Sequence, residues 1–422
     1  MDFSAAGWPG DPCGGPGFRA WDNPRTMTTI ESTRLRDRIR QSVAPFLSFY
    51  QGPFVQLNED PDVSNFAVGN PQELPLPAYV EALQRAVVPR DKDWFAYKIS
   101  EPASQRTVAA TLTQRTGLDW DPADVAMTNG GFAAIATAMK TLVDPGDEVI
   151  FLSPPWFFYE QLILAAGGEP MRVTLDPPRW DLDVDRIVEA IGPRTRAVLV
   201  NSPHNPSGRV YAADNLRRLA DSLAAASDRI GHPIWIISDE PYNRIVFDGL
   251  EYTSPSQLYP HTIITYSYGK TLLAPGQRIG FLTVPPSLPE RAEIRDEIFI
   301  QQLAGGFAFP NALLQHALAD LEKLSIDIGA LERRRNRLVP ALRDLGYETT
   351  MPEGTFYAMA RSPIDDDVAF GDILARHRVL VLPGSIVEVP GWFRISLTAS
   401  DKMVEDGLPR FEAARAEALA GG

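Results

Sequence analysis

Five short apolar runs recur along the middle of the chain, and each stops at a polar or glycine-rich cluster. They are Val125 to Thr128 before "NGG", "EVIFLSP" at 148–154, "RAVLVNSP" at 196–203, "IWIISDEPY" at 234–242 and "TIITYSYGK" at 262–270. Their apolar parts are rich in β-branched or aromatic residues and have no polar face, the pattern of strands buried in a parallel sheet. Helical stretches lie between most of them: "GFAAIATAMKTLV", "WFFYEQLILAAGG" and "AADNLRRLADSLAAASDRI". Alternating strands and helices predict an α/β fold, a three-layer αβα large domain around a mostly parallel mixed sheet. Ligands of such sheets bind beyond the carboxyl ends of the strands. The clusters "TNGG", "SPPW", "NSPHNPSG", "SDEPY" and "YSYGK" are therefore expected to crowd one edge.

The chain ends read differently. Residues 31–50 predict a helix and residues 311–345 a helical stretch, while "GTFYAMA", "VLVLPG" and "WFRISLT" read as strands. Together these predict a smaller α+β domain built from both chain ends. The expected division is a disordered tail at 1–26, an N-terminal part of the small domain at 27–77, a large domain at 78–325 and the rest of the small domain at 326–422. The tail is dense in glycine and proline. It lacks the basic and apolar regions of a signal peptide.

Composition narrows the partners. The net charge is −14, which argues against a nucleic-acid surface. No apolar run approaches the ~18–20 residues of a membrane span. Cys13 is the single cysteine, so there is no disulfide framework and no cysteine-rich metal site. A cytoplasmic protein is expected.

Each cluster has a chemical and a bland reading. Two glycines opening a helix at Gly130 and Gly131 can bring backbone N–H groups to an anion, or simply make a tight turn. Trp156 can stack on a planar ring or fill the core. Asn205, held between two X-Pro units, can present an amide to a ligand or belong to an ordinary turn. Asp239 ends the very apolar "IWII", where a carboxylate needs a cationic or hydrogen-bonding partner. A protonated pyridine nitrogen would serve, and so would a helix N-terminus. Tyr242 follows three residues later. Lys270 is either a surface lysine or an amine nucleophile. Ser267 and Arg278 flank it with donors suited to phosphate.

The order of these clusters, with "SYGKTLLAPGQRIG" and "FRISL", resembles the pyridoxal phosphate enzymes of fold type I, in the class I/II, aspartate aminotransferase-like group. The resemblance covers roughly residues 60 to 400. It implies bound pyridoxal 5'-phosphate held by Lys270 as a Schiff base. It assigns catalytic roles to Lys270, Asp239 and Tyr242. Ser267, Arg278, Gly130, Gly131 and Phe132 match the phosphate cup, Asp239 the partner of the pyridine nitrogen, and Trp156 the stacking ring. Tyr242 and Asn205 match the partners of the ring's phenolic oxygen. Arg394 resembles the grip on the substrate α-carboxylate, with Gly69 and Asn205 beside it. Tyr97 resembles a tyrosine that reaches the phosphate of a neighbouring subunit, which implies a homodimer with shared sites.

The implied activity is transfer of an amino group from an amino acid to a 2-oxo acid. Other reactions on the same scaffold are β-elimination, cyclisation and oxidation. A non-catalytic sensor on this fold is the remaining alternative, although the tail is too short for an appended helix-turn-helix. The chain departs from the family pattern at "YKISEPASQRTVAATL", where Gly-x-Pro-Glu-Leu-Arg is usual, and at Gln277, where tryptophan is common. No second arginine for an acidic side chain stands out, and Phe307 and Phe309 would suit an apolar or aromatic substrate.

Overall fold

The structure, a computed structural model, describes residues 34–421. The expected tail and Cys13 lie outside the described residues. The five apolar runs form the strands Val125–Thr128, Glu148–Ser153, Thr195–Asn201, Trp235–Asp239 and Thr262–Ser267. Alternation along them serves two cores at once. Val149, Phe151, Ala197 and Leu199 pack on one face, against Ile135 and Met139 of the helix Gly130–Leu142. Ile150, Leu152, Val198 and Val200 pack on the other, against Leu216, Leu219 and Leu223 of the helix Ala213–Ile230. Both faces are apolar because both are covered. Each fully buried leucine, isoleucine or phenylalanine stabilises the fold by about 1.5–3 kcal/mol, an upper estimate against an extended chain.

Among the described residues the main sheet has seven strands. From one edge their order is Val125–Thr128, Gly280–Thr283, Thr262–Ser267, Trp235–Asp239, Thr195–Asn201, Glu148–Ser153 and Glu169–Thr174. Gly280–Thr283 runs against both its neighbours, and the remaining pairs are parallel. Two antiparallel steps restore the direction, so Val125–Thr128 points the same way as the other four predicted strands. Their polar ends share one edge, as the sequence pattern implied.

Two strands of this sheet were not anticipated. Glu169–Thr174 is an outer strand that buries little besides Val173, so it lacks an apolar run. Gly280–Thr283 is four residues long and follows Arg278 almost directly. The helical stretch expected at 311–345 is two helices, Ala312–Leu321 and Ile328–Asp344. Asp327 starts the second, its side chain accepting the Ala330 N–H at 2.9 Å.

A smaller antiparallel sheet holds Leu382–Pro383, Trp392–Ser396 and Tyr357–Arg361 in that order. The N-terminal segment joins this part of the molecule. Ser64 and Asn65 pair in parallel with Val379 and Leu380, and Phe66 is fully buried against Phe411 in the same core. The fold is the α/β arrangement expected, a large αβα body with a smaller α+β body.

Candidate active site

Asp239 is the last residue of its strand and is 5 % exposed. It caps no helix. The Tyr159 hydroxyl donates to Oδ2 at 2.6 Å, and the Thr265 hydroxyl donates to Oδ1 at 3.2 Å. Burial raises the Asp239 carboxyl to about 6, against the pull of these two donors and the Lys270 charge. Asn201 fixes the local backbone: its Nδ2 donates to the Asp239 carbonyl at 2.8 Å, and its Oδ1 accepts the Asn205 N–H at 2.8 Å.

Lys270 sits in the short helix Tyr268–Thr271, directly after the strand Thr262–Ser267. Its Nζ lies 5.8 Å from the Tyr242 ring centre and 5.7 Å from that of Phe356. Among the described residues no carboxylate is within ion-pair distance of it, which sets it apart from a surface lysine held by a salt bridge.

Three elements build an anion cup. The helix Gly130–Leu142 starts at the strand end, and its N-cap residue Asn129 makes no side-chain capping bond. The first N–H groups of this turn are therefore open to a ligand. Gly130 has φ +82°, and a Cβ there would lie 2.7 Å from Arg278 Nη2. A Cβ on Gly131 would lie 3.2 Å from that of Ser267. Arg278 faces the cleft without a carboxylate partner among the described residues, and its Nη1 donates to the Pro275 carbonyl at 2.7 Å. The Pro275–Gly276 turn thus holds the guanidinium it carries.

Arg394 is a buried guanidinium that also has no carboxylate partner among the described residues. It is 3 % exposed, donates from Nη1 to Asn205 Oδ1 at 2.9 Å and from Nη2 to the Ala67 carbonyl at 3.2 Å. Its Nε is buried without a partner. A buried cation with an unused donor calls for an anion. Because guanidinium only donates, Asn205 must turn Oδ1 to Arg394, leaving Nδ2 free. The Tyr357 ring lies 3.9 Å from the Arg394 guanidinium carbon. Gly69 is required by close approach: a Cβ there would meet the Tyr357 hydroxyl at 2.4 Å. Burial raises the Tyr357 phenol, yet the charges of Lys270 and Arg394 and the nearby Tyr242 hydroxyl outweigh it, so the net direction is down. Tyr242 is pushed up, by burial and by Tyr357.

One cleft of about 220 Å³ is lined by Phe132, Trp156, Asn205, Asp239, Tyr242, Ser267, Lys270 and Arg278, with Gly131 and Asn201. Sequence reasoning missed Tyr159, Asn201, Thr265 and Tyr357. Tyr159 lies one helical step beyond Trp156 in "PWFFY", the one signal that could have found it. Tyr97 is 87 % exposed and packs on Phe309 at 5.0 Å, so neither residue lines the cleft of its own chain. His204 bonds Ser207 Oγ through Nδ1 at 2.7 Å and the Pro154 carbonyl through Nε2 at 2.9 Å. A carbonyl only accepts, so Nε2 carries the proton. Burial lowers the His204 pKa to about 4 and keeps the ring a neutral fastener of the turn. Leu272 is core, and Leu273 packs on the small-domain cluster.

The family model described as aminotransferase class I and II matches residues 61–411. The chain belongs to the class I and II aminotransferases. A curated relative, the aspartate/prephenate aminotransferase of Thermus thermophilus, is 31% identical over 360 residues, covering 83% of this chain and 90% of that one. Among solved structures, an amino transferase from Eubacterium rectale superposes with a TM-score of 0.82 at 29% identity, covering 92% of this chain and 96% of that chain. The Thermus thermophilus aspartate aminotransferase with maleate gives 0.79 at 26% identity, covering 91% of this chain and 100% of that chain. As a class I and II aminotransferase the protein is an enzyme, and the sensor alternative falls. The family is generally dependent on pyridoxal phosphate. The cup at Gly130, Gly131, Ser267 and Arg278 fits a phosphate, and Asp239 fits a cationic ring nitrogen.

Proposed function

We propose that this aminotransferase binds pyridoxal 5'-phosphate through Lys270 and moves an amino group from an amino acid to a 2-oxo acid. The observation that carries this reading is one cleft in which a lysine amine without a salt bridge, a buried carboxylate and an anion cup meet. Bound there, the cofactor would supply an electron sink for the bond being broken at the substrate α-carbon.

The chain's own residues supply the rest. Ser267, Arg278 and the Gly130–Phe132 N–H groups would hold the phosphate. Asp239, positioned by Tyr159 and Thr265, would keep the ring nitrogen protonated. Trp156 would cover one face of the ring, and Tyr242 and Asn205 Nδ2 would donate to its phenolic oxygen. Arg394 grips the substrate α-carboxylate with Nε and a second nitrogen, in the bidentate manner that only arginine offers. The Lys270 amine would hold the cofactor and would serve as the base for the substrate α-proton. Tyr97 acts across a homodimer interface on the neighbouring phosphate.

The test is Lys270→Ala. Borohydride trapping of cofactor on the protein and exchange of amino groups between amino and oxo acids should both vanish. Ammonia or pyruvate release without exchange by the wild type would instead favour elimination.

A further inference from the structure

The turn that carries Lys270 is too short to hold itself. It is the four-residue helix Tyr268–Thr271, and a single helical turn is not stable on its own. It follows the strand Thr262–Ser267 directly and is succeeded by Leu273 at φ +45°. A leucine in the left-handed region persists only where its surroundings impose it. Both ends of the turn are tied down by groups that do not line the cleft. At the far end the Thr271 and Tyr266 hydroxyls share a hydrogen bond at 2.8 Å, and the Thr271 carbonyl accepts the Ile326 N–H at 2.9 Å. At the near end the buried Tyr268 hydroxyl donates to Glu322 Oε2.

Glu322 follows the helix Ala312–Leu321, and its side chain is 7 % exposed. Its other oxygen accepts from Arg244 Nη2, and Arg244 Nη1 donates to the Glu322 carbonyl at 3.3 Å. The Arg244 guanidinium carbon lies 5.2 Å from the Tyr266 ring centre and 5.7 Å from that of Tyr268. Arg244 stands two residues after Tyr242. One buried carboxylate therefore links the turn that presents Tyr242 to the turn that presents Lys270. Burial and the Glu322 charge push the Tyr268 phenol well up, so it stays a donor. The void among these groups is about 10 Å³, which leaves no room for a ligand. A buried ion pair is weak evidence for stability, since an apolar pair of the same volume can serve as well.

We propose that Glu322 and Tyr268 are positioning residues for Lys270, with Arg244 holding Glu322 in place, so that the amine meets the cofactor aldehyde in a geometry ready to react. The inference rests on the reading of Lys270 as the amine that bonds the cofactor. In that step the neutral Lys270 nitrogen attacks the aldehyde carbon and a carbon–nitrogen double bond forms. The aldehyde oxygen leaves as water with the two protons of the amine. Tyr268 and Glu322 act on this step through the backbone of the turn, which sets where Nζ can reach. A displacement of about 1 Å in a reacting group can cost about a hundredfold in rate.

The experiment separates docking from bond formation in the cofactor-free protein. Pyridoxamine 5'-phosphate, which has the ring and the phosphate but no aldehyde, reports docking by fluorescence titration. Pyridoxal 5'-phosphate, followed by stopped-flow absorbance, reports the first-order step that Lys270→Ala abolishes. Tyr268→Phe should slow that step about tenfold while the Kd for pyridoxamine 5'-phosphate barely changes. Glu322→Gln should do the same, and the double variant should be no slower than the slower single variant, because both act through one bond. Where Glu322→Gln impairs folding, Tyr268→Phe, which keeps the ring and the ion pair, decides alone. A first-order rate in Tyr268→Phe equal to that of the wild type, or a loss of rate matched by an equal loss of docking, would overturn the proposal. A wild-type protein with no step dependent on Lys270 would instead remove the reading of Lys270, and the proposal falls with it.

Discussion

Arg394 carries a buried guanidinium whose neighbours are an amide, a backbone carbonyl and an aromatic face. No carboxylate among the described residues neutralises it. Arg394→Lys keeps the charge and loses the fork, so KM for the amino acid should rise by roughly 10–200-fold with kcat changed less, as steady-state kinetics would show. The Asp239–Tyr159 bond makes a second prediction, in pH. The Asp239 carboxyl sits at about 6 in the folded protein, above the ordinary value of 3.8. The native state therefore holds this proton to higher pH than the unfolded chain does. Its contribution to stability of the cofactor-free protein is full below about pH 4 and is lost as pH rises through about 6. Only the ionised form can pair with a cationic ring nitrogen. Tyr159→Phe removes a donor to the carboxylate, so the pH below which cofactor affinity declines should move up. Fluorescence titrations of cofactor across pH would measure it, and an unchanged midpoint would deny Tyr159 this role. Asp239 was legible as a candidate at this scale because it ends an apolar run where a carboxylate is costly without a partner, and Lys270, Asn205 and Arg394 became candidates through the order of the motifs. Tyr159 and Tyr357 were not legible, because a tyrosine between apolar neighbours reads equally well as core.

The helix Gly130–Leu142 shows how an element positions a site. Its apolar sides bury Ala134, Ile135, Ala138 and Met139 under the sheet, and that packing fixes where its open first turn points. Gly130 lies where a side chain would strike Arg278 and where φ is left-handed. Gly130→Ala should thus weaken cofactor binding by roughly a hundredfold, the effect of a 2–3 kcal/mol strain, while far-UV circular dichroism stays near that of the wild type. A normal cofactor Kd would refute the cup. The strands that build the edge were visible in the sequence because two covered faces leave no polar alternation. Glu169–Thr174 escaped notice for the opposite reason: its side chains are mostly half-exposed. Gly280–Thr283 escaped because four residues give too little pattern beside the arginine motif.

The whole molecule is closed by its ends. Ser64 and Asn65 pair with Val379 and Leu380, contacts 315 positions apart in sequence that no local pattern encodes. The smaller body was expected from both chain ends, yet this pairing depends on tertiary packing alone. A cofactor held by residues from 130 to 278 in one body, with its substrate gripped by Arg394 from the other, should stabilise the assembly as a unit. At a hundredfold excess over Kd, binding adds about 2.7 kcal/mol. For a chain of this size that is a few degrees in Tm, readable by calorimetry with and without pyridoxal phosphate. A Tm unaffected by the cofactor would count against the site. The bond from Arg394 to Asn205 has one more consequence. On the roles proposed for them, it would join the arginine that grips the arriving acid to the amide that faces the cofactor, so that the arrival of a substrate would be felt at the cofactor before any bond in it is broken.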